Sequence, residues 1–143
     1  MDNPQEVLEW VTAKDLTAVA SFYEDVGYGV GVELGDRIMV AREGKRIVAA
    51  VRLCQEENTL VLRGMYVAPD RWGRGIGSRL LDAAASAMGP QECWSLPYAH
   101  LRDFYSRVGF EERLLEMAPG FLEKRARRYL KSGNEIIVMK RGR

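Results

Sequence analysis

Residues 71–78 read Arg71-Trp72-Gly73-Arg74-Gly75-Ile76-Gly77-Ser78, and no other stretch restricts the fold as tightly. Glycines at three alternate positions leave the backbone without Cβ atoms, so its N–H groups are open to a ligand or to close packing. The loop follows a strand-like run, Thr59 to Val67. It leads into a helix-like run from Gly75 to about Met88, where Ile76, Leu80, Leu81, Ala84 and Met88 share one face. A glycine-rich turn between a strand and a helix N-terminus can hold a phosphate or pyrophosphate, because exposed N–H groups and the helix dipole point the same way. Arg71 and Arg74 add charge for the same ligand. A P-loop needs Gly-x-x-x-x-Gly-Lys-Ser/Thr, which is absent. A dinucleotide fingerprint spaces its glycines differently and follows the first strand of a parallel sheet. The competing reading is a tight turn without a ligand.

The rest of the chain alternates strands and helices. Glu6 to Val11 reads as a strand, and Ala13 to about Asp25 as a helix with Leu16, Val19, Ala20 and Tyr23 on one face. Thr12 and Asp15 supply a weak capping box. A glycine-rich loop, Gly27 to Gly35, follows. Arg37–Arg42, Ile47–Cys54 and Thr59–Val67 then form a meander with short turns, the middle run apolar enough to be covered on both faces. Beyond Gly89-Pro90 come a short strand Glu92–Leu96, a helix Ala99 to about Val108 ended by Gly109, and a strand Phe110 to about Leu115. An extra helix at about 119–131 and a closing strand Glu135–Lys140 complete an α+β pattern with a largely antiparallel sheet.

Composition narrows the function classes. A chain of 143 residues that is 47% hydrophobic suits one domain, residues 1–143, with a single core. At 29% charged and net charge +1 it reads as soluble, and its balance argues against a surface built for nucleic acid. Two cysteines and one histidine exclude the common zinc patterns, so no metal site is expected, and a reduced cytoplasmic setting is the default. Neither a signal peptide nor an apolar run long enough to cross a membrane is present, so no membrane role is expected.

The run Val67-Ala68-Pro69-Asp70-Arg71-Trp72-Gly73-Arg74-Gly75-Ile76-Gly77 resembles the acyl-CoA-binding motif of the GNAT superfamily of N-acetyltransferases, Arg/Gln-x-x-Gly-x-Gly/Ala. Phe104-Tyr105-Ser106-Arg107-Val108-Gly109-Phe110 resembles that family's Tyr-x-x-x-Gly-Phe segment, and the element order matches from Glu6 to Lys140. The resemblance implies a twisted, largely antiparallel sheet flanked by helices, its central strands splayed to admit the pantetheine arm of acetyl-CoA. Met65, Tyr66 and Val67 would pair with that arm. Backbone N–H groups from Gly73 to Ser78 would hold the pyrophosphate, within a cofactor-binding run of Arg71, Trp72, Gly73, Arg74, Gly75, Ile76, Gly77 and Ser78. The Val67 N–H would act as an oxyanion donor, and Tyr105 would protonate the leaving thiolate. The family's first Arg/Gln falls on Trp72, with Arg71 as substitute. Its frequent asparagine falls on Tyr98, and Val61 and Arg63 stand where some relatives carry Glu or His, so no general base carries over.

The implied activity is transfer of an acetyl group to a primary amine of a small molecule or protein, by direct attack in a ternary complex. The alternative is a non-catalytic acyl-CoA-binding sensor. Arg63, Glu33 and His100 are the candidate acceptor-site residues, each weighed against an ordinary structural role: ion pair, solvated carboxylate, helix-end histidine. Arg63 is expected to share a strand face with Met65 and Val67. Asp36 is weighed with Glu33 as an amine-binding carboxylate. Cys54 and Cys93 receive no chemical role. The basic run Lys124, Arg125, Arg127, Arg128 and Lys131 reads as a solvated helix face, and a homodimer is compatible with exposed strand edges.

Overall fold

The computed structural model describes residues 6–29, 31 and 35–142. The expected acceptor-site residue Glu33 lies outside the described residues. Seven strands form one sheet: β1 (Glu6–Trp10), β2 (Arg37–Glu43), β3 (Arg46–Glu56), β4 (Thr59–Val67), β5 (Cys93–Ser95), β6 (Phe110–Arg113) and β7 (Val138–Arg141). Their spatial order is β1-β2-β3-β4-β5-β7-β6, and only the β4–β5 pairing is parallel. The helices are α1 (Leu16–Asp25), α2 (Ile76–Met88), α3 (Arg102–Ser106) and α4 (Gly120–Lys131).

The meander follows from local chemistry. Strand β3 extends further than expected, from Arg46 to Glu56, and closes with β4 on a two-residue loop, Glu57 and Asn58, both at positive φ. The apolar run of β3 feeds two cores. Val48, Ala49, Val51 and Leu53 pack with α2 residues Leu80, Leu81 and Ala84. Ala50 and Ile47 pack with α1 residues Val19, Phe22 and Tyr23. On the α1 side of the sheet, Leu122 and Ala126 of α4 cover Val61, Trp94 and Val138.

Two expected helices are split. Ala13–Asp15 and Ala99–Leu101 are tighter 3₁₀ turns that lead into α1 and α3. At the first, the Thr12 N–H donates to Asp15 Oδ2 at 3.2 Å, which closes the capping box before the α-helix begins.

Two irregularities in β4 position everything that follows. The first is a bulge. Ala50 pairs with Tyr66, yet Arg52 pairs with Arg63, so Gly64 and Met65 together oppose Val51. Gly64 has φ +63°, and a Cβ there would stand 2.9 Å from the Tyr23 hydroxyl, which instead donates to the Gly64 carbonyl at 2.8 Å. The extra residue swaps the alternation. Arg63 lies on the face of Tyr66, opposite Met65 and Val67, which corrects the expectation of a shared face.

The second irregularity is a splay. β4 and β5 pair only at Val61–Trp94 and Leu62–Ser95. Beyond Ser95 the chain follows the segment before β7 instead. The Ile137 N–H donates to the Pro97 carbonyl at 2.9 Å, and the Ala99 N–H to the Glu135 carbonyl at 2.8 Å. Residues 63–67 therefore continue with an open edge on the β5 side.

Candidate active site

The splay opens into a cleft of about 880 Å³. Met65, Val67, Gly77, Phe104 and Tyr105 line it on the side of α2 and α3. Tyr28, Arg63, Tyr66, Arg125 and Tyr129 line it on the side of α1 and α4.

Strand alternation orients the open edge. The Ala68 N–H donates to the Val48 carbonyl of β3 at 2.8 Å. The N–H and C=O of the preceding residue, Val67, therefore face away from β3 and into the cleft. The Val67 carbonyl there accepts the Trp72 indole N–H at 2.8 Å. An extended ligand chain lying in the gap would meet this backbone edge as another strand would.

The glycine loop sits at the open end. Helix α2 begins at Ile76 behind Gly75, whose φ of +78° is natural only to glycine, and no side chain caps the helix. The N–H groups of Ile76, Gly77 and Ser78 are left as first-turn donors beside the cleft. These uncapped donors, together with the open β4 edge, fit a phosphate-bearing chain such as CoA. Gly77 also permits close packing, since a Cβ there would lie 3.3 Å from Val67 Cγ2.

Most of the expected residues come together. Residues 63, 65–67, 71–73, 75–78, 100 and 105 line the cleft. Arg74 is exposed and does not line it. The Arg71 guanidinium is held by carboxylates: Nε donates to Glu43 Oε1 at 2.9 Å and Nη1 to Asp70 Oδ2 at 3.0 Å. Asp36 is paired with Arg52 at 2.5 Å in a site where both side chains are buried, and Arg52 also donates to the Tyr28 hydroxyl at 2.7 Å.

Tyr105 is buried, edge-on to Phe104 and Phe110, and burial raises its pKa further above the ordinary phenol range. It therefore stays protonated across the physiological range and is available as a proton donor. His100, exposed at the cleft, stacks on the Tyr98 ring with centroids 5.9 Å apart. Cys54 and Cys93 are free and buried, and burial pushes both thiols up to about 12.

The sequence reading missed Arg125, Tyr129 and Glu56 as parts of this cleft region. The available signal was helical spacing: Leu122, Arg125, Ala126 and Tyr129 recur at intervals of three and four, which puts Arg125 and Tyr129 beside the buried stripe of α4. Among the described residues, no group of three or more His, Cys, Asp or Glu side chains could hold a metal ion. No helix among them is long and apolar enough to cross a membrane.

Residues 35–112, more than half of the chain, match the family profile described as an acetyltransferase (GNAT) domain. No curated protein matches the sequence. Among solved structures, an acyl-CoA N-acyltransferase from Pseudomonas aeruginosa is 19% identical, with TM-score 0.72 over 96% of this chain and 99% of that one. The ribosomal-protein alanine N-acetyltransferase of Escherichia coli is 16% identical, with TM-score 0.68 over 95% and 92%. N-acetylglutamate synthase from Neisseria gonorrhoeae, complexed with coenzyme A and N-acetyl-glutamate, is 13% identical with TM-score 0.68. This chain aligns over 98% of its own length and spans 35% of that enzyme. At these identities the likeness is one of fold.

Proposed function

The chain belongs to the GNAT acetyltransferase family, with acetyl-CoA as cosubstrate, and from that premise we propose transfer of the acetyl group to a primary amine by direct attack in a ternary complex. The observation that carries this reading is the open β4 edge running into the uncapped N-terminus of α2. We read the 143 residues as one such domain, and the two buried free thiols support a reducing, cytoplasmic location.

In this mechanism the backbone N–H groups of residues 73–78 bind the pyrophosphate, and the β4 edge at residues 65–67 aligns the pantetheine arm. The thioester supplies an activated acyl carbon. The Val67 N–H stabilises negative charge on the acyl oxygen as the amine attacks. The new bond runs from amine nitrogen to acyl carbon, and the carbon–sulfur bond breaks. The departing sulfur takes the Tyr105 phenolic proton, and the proton lost by nitrogen passes to His100 or to water. A peptide α-amine, with an ordinary pKa of about 7.7–8.0, is already partly neutral near pH 7 and needs no strong base, whereas a more basic small-molecule amine must lose its proton to His100 or to water before it attacks. Holding both reactants in one cleft contributes most of the rate, through effective concentration.

A second reading, a non-catalytic acyl-CoA-binding module, is favoured by one observation: no carboxylate among the described residues lines the cleft to serve as a base. Calorimetric titration with acetyl-CoA and CoA, beside a Gly75→Glu variant, tests the cofactor site. Glu would set negative charge and bulk at a positive-φ position against the pyrophosphate. Binding by wild type that is lost in a folded variant is the expected result. Absence of wild-type binding would overturn the proposal.

A further inference from the structure

The two faces of the cleft differ in kind. The α2 face is mostly apolar, with the glycine loop at its end. The α1–α4 face carries phenols and two guanidiniums, Arg63 and Arg125. Arg63 reaches this face because the bulge at Gly64 swaps the strand alternation. Arg125 reaches it because burying Leu122 and Ala126 turns that side of α4 towards β4.

Both arginines share one carboxylate. Arg125 Nη2 lies 2.5 Å from Glu56 Oε1 and its Nη1 lies 3.3 Å from Oε2. Arg63 Nη1 reaches the same Oε2 only at 3.5 Å. The side chains are 17% exposed for Arg63, 16% for Arg125 and 21% for Glu56, so solvent screens this charge only in part. Two cations against one anion leave a net charge of +1, and the neighbouring Arg52–Asp36 pair is neutral. Among the described residues no Asp or Glu side chain lines the cleft to offset it. A half-desolvated guanidinium excess is costly unless an anion meets it, and the planar N–H fork suits carboxylate and phosphate oxygens.

We propose that Arg63 and Arg125 form an oxyanion subsite for the acceptor, whose amine is carried by a small molecule bearing a carboxylate or a phosphate. This rests on the reading that the β4–β5 gap is the acetyl-transfer site. Arg63 and Val67 face Arg52 and Ala49, three positions apart on β3, so about 10 Å of strand separates them at about 3.3 Å per residue. The arginine side chain covers part of that span, and a molecule of amino-acid size covers the remainder. That no carboxylate among the described residues lines the cleft also disfavours polyamines, whose remote ammonium groups would meet the arginines.

The test is binding and turnover with matched pairs: L-phenylalanine against L-phenylalaninamide, L-glutamate against its diamide, and O-phosphoethanolamine against ethanolamine. Each is titrated into the full chain with and without CoA. The anionic member of at least one pair is expected to bind about 10- to 100-fold more tightly, the range of a charge-assisted contact. The carboxylate and phosphate pairs tell the two anions apart. Arg63→Gln and Arg125→Gln should each weaken the anionic member and leave its neutral partner unchanged. Glu56→Gln should do the opposite, tightening the anionic member several-fold, a gain that misfolding does not imitate. Equal affinity within every pair, or no gain in Glu56→Gln, would overturn the subsite. Acetyl-CoA titrated into the same sample reports the cofactor reading separately. Its failure to bind sinks that reading, whereas acetyl-CoA binding without anion preference sinks only the subsite.

Discussion

The Trp72 indole N–H donates to the Val67 carbonyl at 2.8 Å although Trp72 is 68% exposed. That carbonyl belongs to the open β4 edge, so the indole occupies an acceptor that an incoming pantetheine amide would use. Trp72→Phe keeps an aromatic ring, smaller than the indole, and removes the donor. It is expected to tighten acetyl-CoA binding about 2- to 10-fold, the net worth of one hydrogen bond, and to lower stability by less than about 1 kcal/mol. Weaker binding in calorimetry would mean that the contact persists in the complex and organises the loop.

Gly64 is the residue on which the cleft's two-faced character turns. A Cβ at φ +63° would lie 2.9 Å from the Tyr23 hydroxyl and 3.1 Å from both Arg52 Cδ and Tyr28 Cε2. Gly64→Ala is expected to destabilise the protein by about 2–4 kcal/mol, combining left-handed backbone strain with overpacking. Urea denaturation measures this, and a loss below about 1 kcal/mol would show that the bulge tolerates a side chain.

Tyr105→Phe separates catalysis from binding. The buried phenol is edge-on to Phe104 and Phe110, contacts that Phe retains. With a responsive acceptor, kcat should fall about 100-fold or more, while acetyl-CoA affinity stays within about twofold. Unchanged turnover would remove Tyr105 from the proton path. A wild type that binds acetyl-CoA but turns over none of a broad amine panel would favour the sensor reading.

Stability should depend on alkaline pH through the two thiols. Burial raises Cys54 and Cys93 from 9.0 to about 12, so the native state holds protons that the unfolded chain releases. Their contribution is complete below about pH 9 and is lost as pH climbs towards 12, at up to about 1.4 kcal/mol per pH unit for each group. Denaturant melts in reducing buffer from pH 8 to 11 should show this decline, and Cys54→Ala should make it shallower. A flat profile, or an unchanged slope in the variant, would contradict burial as the cause.

Much of this architecture is legible in the sequence. Strand β4 was expected at its observed limits, and α2 within one residue, because alternation and helical periodicity are local signals that Gly75 and Gly89 punctuate. The weaker expectations concerned short elements. Strand β5 shrinks to Cys93–Ser95 because the next residues pair with the segment before β7, a partner chosen some 40 positions downstream. Arg125 read as one charge in a solvated run because its carboxylate, Glu56, stands 69 positions away.

The amino-acid order by itself determined the meander, the phosphate-cradling turn, the helix behind it and the residues at the open β4 edge. Each depends on hydrogen bonds and side-chain periods within a few neighbours. Only the tertiary structure decided which face of β4 each residue serves. The bulge at Gly64 is held by the hydroxyl of Tyr23, 41 positions away, and it reverses the alternation that local periodicity predicts. That reversal carries Arg63 to the face of Arg125 and leaves Met65 and Val67 on the face of the glycine loop. A strand's period is a local property, whereas the register at which it breaks is set by whatever packs against it.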